Sequence, residues 1–121
     1  MYNQAILDHF RHPRNVGELE NATATVEVSN PVCGDVMQLA VRVEGGRIAD
    51  ARFKTRGCVA AIACGSLLTE MIYGRSLAEA RAITPAEIAA ALGGLPPASA
   101  HASQLACDAL EAVFARLGPT R

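Results

Sequence analysis

The stretch from Ala51 to Ile62 changes its hydrophobic period in mid-run. Ala51, Phe53 and Thr55 alternate with Arg52, Lys54 and Arg56, the period of a half-buried strand. The alternation breaks at Gly57, and from Val59 onward Val59, Ile62, Ala63, Ser66, Leu67 and Met71 recur at helical spacing. A chain that passes so abruptly from strand to helix builds a sheet and the helix that covers it side by side. Cys58 falls at the junction, close to a helix N-terminus whose unpaired N–H groups and partial positive charge favour a thiolate. The thiolate is the form that binds metal or attacks sulfur. A lone cysteine in such a place is ordinarily a small packing residue, so its meaning rests on what the rest of the chain brings near it.

Before Gly57 the chain reads as one short helix and three strands. Asn3 to Phe10 forms a helix with Ile6, Leu7 and Phe10 on its apolar side, and it stops at His12-Pro13, because the residue before proline avoids the α region. His9 and His12 read as capping or surface groups, and Arg14 to Gly17 as a loop. Thr23 to Ser29 alternates as a first strand that Asn30-Pro31 ends. After the loop Val32-Cys33-Gly34-Asp35, the second strand runs from Val36 to Glu44 with Met37, Leu39, Val41 and Val43 on one face. Gly45-Gly46 is a hairpin turn signal, and Arg47 to Thr55 is the third strand.

Everything after Gly57 has helical period. The helix from Val59 ends near Tyr73-Gly74. Ser76-Leu77-Ala78-Glu79 and Thr84-Pro85-Ala86-Glu87 are capping boxes that open two short helices, the second ending at Gly93-Gly94. Leu95-Pro96-Pro97-Ala98-Ser99 reads as a stiff, extended connector. The last helix spans His101 to Leu117, with Leu105, Ala106, Ala109, Leu110, Val113 and Phe114 as its buried stripe and Gly118-Pro119 as its stop. The fold class is therefore α+β: a three-stranded antiparallel meander with helices packed on one face. At 121 residues without internal repeat or linker, residues 1–121 make a single domain.

Bulk properties exclude some functions. A net charge of −1 from 11 basic and 12 acidic side chains gives no nucleic-acid or membrane signature, and the lack of tryptophan weakens base stacking. No leader segment or bilayer-spanning apolar run is visible, so the expected location is the cytoplasm. There, four cysteines point to metal binding, reactivity or burial in place of disulfides.

In a meander, the start of the second strand and the end of the third lie at the same end of the sheet. Cys33, Asp35 and Cys58 therefore converge, with Gly34 giving the loop the freedom to aim both its neighbours at one point. His101 joins them if the last helix begins at that end. Two thiols, a carboxylate and an imidazole form a tetrahedral set for zinc or a mixed set for an iron–sulfur cluster. Cys64 lies six residues beyond Cys58, about 9 Å further along one helix and rotated by roughly 240°. Cys107 stands in the same relation to His101, so both read as core-filling.

The run Tyr2…Ile6-Leu7-Asp8-His9-Phe10-Arg11-His12-Pro13-Arg14-Asn15-Val16-Gly17, then Cys33-Gly34-Asp35, Ala51 to Cys58, Leu95-Pro96-Pro97 and His101, resembles the IscU/NifU-type iron–sulfur cluster assembly scaffolds over essentially the whole chain. With no insertion after Cys58, it resembles the IscU branch more than the zinc-dependent SufU branch. The resemblance implies a scaffold, not an enzyme. Such a scaffold receives sulfur from a cysteine desulfurase, assembles a transient [2Fe–2S] cluster with iron and electrons, and passes it to apo iron–sulfur proteins. It implies that zinc can occupy the empty site, and that Cys33, Asp35, Cys58 and His101 are the ligands. It also implies an Hsp70-type chaperone or co-chaperone that engages Leu95-Pro96-Pro97.

Two departures from the family pattern stand out. The third cysteine that usually follows the histidine is Ala102 here, and the lysine that usually closes the chaperone segment is absent. The loss of the third cysteine leaves an alternative open: a zinc-binding sulfur acceptor, or a desulfurase-binding regulator that builds no cluster.

Overall fold

The computed structural model describes residues 2–118. Its order is α1 (Gln4–Arg11), β1 (Ala24–Ser29), β2 (Val36–Glu44), β3 (Arg47–Arg56), α2 (Val59–Ile72), α3 (Leu77–Arg81), α4 (Pro85–Ala91), a 3₁₀ turn (Pro97–Ser99) and α5 (His101–Leu117). The strands form one antiparallel sheet in the order β1-β2-β3, the expected meander. Gly45 and Gly46 turn the β2–β3 hairpin with φ of 58° and 74°, a pair of left-handed residues that side chains disfavour. The alternation of β3 breaks near that turn. Arg42 pairs with Asp50 and Val43 with Ile48, so Ala49 is an extra residue. This bulge lets both Ile48 and Ala51 face the core although they are three residues apart. The inner face, with Met37, Leu39, Val41, Ala51 and Phe53 buried, packs against α2 and α5.

The helix starts follow the capping chemistry read from the sequence. Ser76 with Glu79 and Thr84 with Glu87 form complete capping boxes. Asn3 caps α1 through Ile6 N–H and donates Nδ2 to the Leu92 carbonyl at 2.8 Å, tying the first helix to the end of α4. The stripe Leu105, Ala106, Ala109, Leu110, Val113 and Phe114 of α5 is buried, and Cys64 and Cys107 lie in the core. Gly118 C-caps α5, while Pro119 lies outside the described residues.

Four local expectations change. First, Leu95 to Ser99 is not extended throughout, since Pro97–Ser99 closes a 3₁₀ turn with Ser99 N–H on the Pro96 carbonyl. Second, Val16 is more than loop. It bridges Phe53 in parallel, with Gly17 N–H to Phe53 O and Phe53 N–H to Asn15 O both at 2.9 Å, and so covers part of the β3 edge. Third, the buried face of α2 is not the stripe that periodicity marks. Ala63 and Ser66 of that stripe are buried, but so are Ala60, Ala61, Cys64, Leu68, Thr69 and Ile72 outside it, while Val59, Ile62, Leu67 and Met71 are half-buried. This helix meets β3, α1, α4 and α5, and a helix enclosed on several sides has no single apolar face for a period to report. Fourth, α1 buries Ile6 and His9 and leaves Phe10 exposed.

His9 is inside because it has partners. Its Nδ1 lies 2.8 Å from Ser66 Oγ, a hydroxyl that also accepts Arg14 N–H at 2.8 Å, and its Nε2 lies 3.6 Å from Glu70. Burial, and after it the Arg14 charge, lowers the His9 pKa below the ordinary 6.5, against opposing pulls from Glu70 and Asp8. The unfolded chain then binds the proton more readily than the folded one. The stability this contact contributes is present above the ordinary value and lost as pH falls through the folded one. Thermal unfolding followed from about pH 7.5 to about pH 5.5 should show a steeper loss of Tm in the parent than in His9→Gln. Equal slopes would remove His9 as the titrating group.

Candidate metal centre

The site lies where β2 begins, β3 ends and α5 begins. Asn30 ends β1 and holds the following loop closed. Its N–H donates to the Asp35 carbonyl at 2.8 Å, and its own carbonyl accepts Gly34 N–H at 2.7 Å. Gly34, at φ 79°, takes the left-handed conformation that turns Cys33 and Asp35 toward the same side. The β3 chain leaves the sheet at Gly57 and enters α2 with Cys58 as N-cap. The 3₁₀ turn delivers His101 as the first residue of α5.

Cys33 Sγ, one carboxylate oxygen of Asp35 and one ring nitrogen of His101 lie within 4.8 Å of one another. Cys33 is exposed, Asp35 buried and His101 half-buried, so the group sits at the rim with its sulfur outermost. Asp35 Oδ2 and His101 Nε2 are 3.5 Å apart, and each is buried without a hydrogen-bond partner. Such atoms are uncommon in folded proteins, where buried polar atoms are nearly always paired. Two of them aimed at each other beside an exposed thiol fit a bound cation: imidazole, carboxylate and thiol are zinc ligands, and thiol with imidazole also suits iron–sulfur clusters.

Cys58 stands outside that trio. Its Sγ accepts Ala61 N–H at 3.4 Å, turned back over the start of its own helix, yet it lies close enough to Asp35 to feel the carboxylate. The expectation of a favoured thiolate is corrected here. Burial raises the Cys58 pKa above the ordinary 9.0 and the Asp35 carboxylate adds to the rise, and together they outweigh the Ala61 and Ala60 N–H groups that act against them. The helix end supplies only partial charges, whereas desolvation and a neighbouring anion act on the full charge of the thiolate. A cation placed between Asp35 and Cys58 would reverse this balance.

His9 and His12 lie elsewhere, His9 on Ser66 and His12 as the exposed C-cap of α1. Ala102, next to His101, has no exposed surface. Of the basic residues before Cys58, Lys54 and Arg56 are exposed, while Arg52 is paired with Asp50 and donates to the Ala51 carbonyl. Gly57, which periodicity marks only as a break, faces the Asp35 carboxylate directly. Its role becomes legible once the β2–β3 register is known.

The fold is an α+β meander covered by helices, with a thiol, a carboxylate and an imidazole at one rim that could hold a metal ion. The chain belongs to the NifU-like N terminal domain family, whose profile matches residues 1–117. It is 50% identical over 110 residues to "Iron-sulfur cluster assembly scaffold protein IscU 1" of Archaeoglobus fulgidus, which covers 91% of this chain and 72% of the relative. It is 48% identical over 118 residues to the protein named iron-sulfur cluster assembly scaffold protein IscU in Escherichia coli, covering 94% and 91%. A solved structure titled as a putative iron-sulfur cluster assembly scaffold protein for the SUF system of Fervidobacterium islandicum superposes with a TM-score of 0.78 at 25% identity, covering 93% of this chain and 95% of that one. A NifU-like N-terminal structure from Brucella abortus superposes at 0.75 with 18% identity, covering 95% and 92%, and speaks for the fold alone.

Proposed function

We propose that residues 1–121 act as one scaffold domain on which iron–sulfur clusters are assembled and from which they are handed on. The observation that carries this reading is the pair of buried, unpartnered ligand atoms, Asp35 Oδ2 and His101 Nε2, beside Cys33 at the rim. The names of the relatives point the same way.

The cargo in this reading is a [2Fe–2S] cluster held by Cys33, Asp35, Cys58 and His101, with zinc able to take the empty site. Sulfur comes from a cysteine desulfurase, the main stable partner, which reaches the exposed Cys33. Arg52, Lys54 and Arg56 offer charge to its docking surface, the first half-buried and paired with Asp50, the other two exposed, and apo iron–sulfur proteins receive the product. Four free cysteines suit a reducing cytoplasm. An Hsp70-type chaperone engages Leu95-Pro96-Pro97, which is half-buried at Leu95 and Pro96 and exposed at Pro97.

The decisive experiment is anaerobic reconstitution with ferrous iron, cysteine, a desulfurase and a thiol reductant, followed by metal analysis and the visible spectrum. Iron with sulfide and charge-transfer bands supports the scaffold. Zinc alone, tightly held, favours the second reading of a sulfur acceptor or desulfurase-binding regulator, which Ala102 in place of a third thiol keeps in play. Within the scaffold reading Asp35 is the hard ligand that keeps a soft cluster labile. Asp35→Ala should therefore slow cluster transfer to an acceptor, and transfer as fast as in the parent would contradict that role.

A further inference from the structure

We propose that Gly57 is a positioning residue for this site: its missing side chain is the slot in which the Asp35 carboxylate lies, and a side chain there turns that carboxylate away from the metal. The inference rests on the reading of Asp35 as a ligand given above.

Val36 and Arg56 are the last paired residues of β2 and β3, so Asp35 and Gly57 face each other one step beyond the ladder. A Cβ on Gly57 would stand 2.6 Å from Asp35 Cγ and 2.8 and 2.9 Å from its two oxygens. All three distances are below any real contact, so the whole carboxyl group lies flat over the Gly57 Cα. Backbone conformation does not require this glycine. Gly34, Gly45 and Gly46 have positive φ, whereas Gly57 does not, and its backbone is open to alanine. The three atoms nearest to that Cβ all belong to the Asp35 carboxyl group, so Asp35 is the first obstacle a side chain would meet.

Asp35 can retreat only by turning its side chain. Its backbone is held by Asn30 N–H, and its carboxyl group is buried between Gly57, the Cys58 thiol and His101. The unpaired Oδ2 aimed at His101 is therefore held by exclusion, with no hydrogen bond of its own. A methyl group at residue 57 ejects the carboxylate by rotation of its side chain and leaves Cys33 and His101 in place. The sequence would still contain the aspartate while the site had lost it.

The test is a thermodynamic cycle on the full apo-chain, with zinc affinity read by competition against a chromophoric chelator and cobalt spectra reporting the ligand set. Gly57→Ala should lower zinc affinity by about 10–100-fold, the usual scale for a disturbed ligand support. It should match Asp35→Ala in size and in cobalt spectrum, and the double variant should lose no more than Asp35→Ala alone. The collision should also appear in Tm, lowered in Gly57→Ala and recovered in the double variant.

Parent-like zinc affinity in folded Gly57→Ala overturns the proposal, and so does a double variant whose losses multiply. If only the single variant fails to fold, the carboxylate is the obstruction and the slot stands. If the double variant also fails, Gly57 serves the backbone and the proposal is wrong. Gly65→Ala, whose Cβ would press on the Phe53 ring at 2.5 Å in the core, controls for general disturbance. An equal loss of zinc affinity there overturns the assignment. Cys33→Ala tests the underlying site separately, because unchanged zinc binding in that variant removes the site reading whatever Gly57 does.

Discussion

Zinc affinity is expected to fall by more than about 100-fold when Cys33 or His101 is replaced by alanine, beyond the range that outer-shell changes reach. Both side chains offer ligand atoms within 4.8 Å of each other and of Asp35. His101 Nε2 is buried and has no hydrogen-bond partner, so a cation would supply the partner it lacks. Cys64→Ala and Cys107→Ala are the contrast. Their thiols sit in the core, where burial pushes them up to about 12 and about 11, and neither can reach the rim. Removing them should lower Tm and leave zinc affinity unchanged. Competition titrations on the purified variants decide the matter: parent-like zinc binding in His101→Ala would take the imidazole out of the site. Affinity should also rise with pH by about tenfold per unit for each proton released. The protonated Cys58 is one source of such protons, so Cys58→Ala should flatten the slope.

The second large effect is expected from Ala102→Cys. In the scaffold reading proposed above, the site would have two thiols, Cys33 and Cys58, and iron in a cluster prefers sulfur to oxygen or nitrogen. Clusters with two nitrogen ligands exist, so the parent set is chemically sufficient, but its hold is weaker. Ala102 follows His101 directly and has no exposed surface, so an added sulfur enters a filled space. Overpacking of this kind costs about 1–3 kcal/mol, which a small shift at the start of α5 can relieve, since that end rests on a 3₁₀ turn and has no side-chain cap. The lifetime of a reconstituted [2Fe–2S] cluster should lengthen by about tenfold, comparable with other changes around a metal. Sulfur uptake from the desulfurase, read as persulfide by mass spectrometry, should rise with it. An equal lifetime in parent and variant would mean that Ala102 leaves no gap and that another group completes the parent site. Tight zinc binding without cluster in both would favour the zinc-protein reading.

Much of this architecture is legible in the chain because local chemistry and global fold agree. Two capping boxes and a Gly-Gly hairpin each specify one conformation, and each is found, and the β2 alternation holds for Met37, Leu39 and Val41, although Ala40 is buried too and Val43 only half-buried. The α2 face was legible only in part, at Ala63 and Ser66. Periodicity reports a contrast between water and protein, and a helix buried on several sides has little contrast. The bulge at Ala49 is likewise silent, since one extra residue in a strand leaves no mark in composition. His9 reads as an ordinary surface or capping group until Ser66, on another helix, comes within 2.8 Å of it.

For the site, the sequence by itself determined which atoms are available: the Cys33-Gly34-Asp35 loop, Cys58 at a strand-to-helix junction, and His101 opening the last helix. Meander topology, readable from period and turns, brings the first three to one end of the sheet. The tertiary structure decided the rest. It joined His101 to Asp35 and Cys33, left Cys58 turned toward its own helix, and raised that thiol where helix position alone suggested the opposite. It also placed Gly57 under the Asp35 carboxylate. The reason is that ligand identity is a property of side chains, written in the chain. Protonation and aim depend on desolvation, neighbouring charge and excluded volume, which exist only once distant segments have packed together.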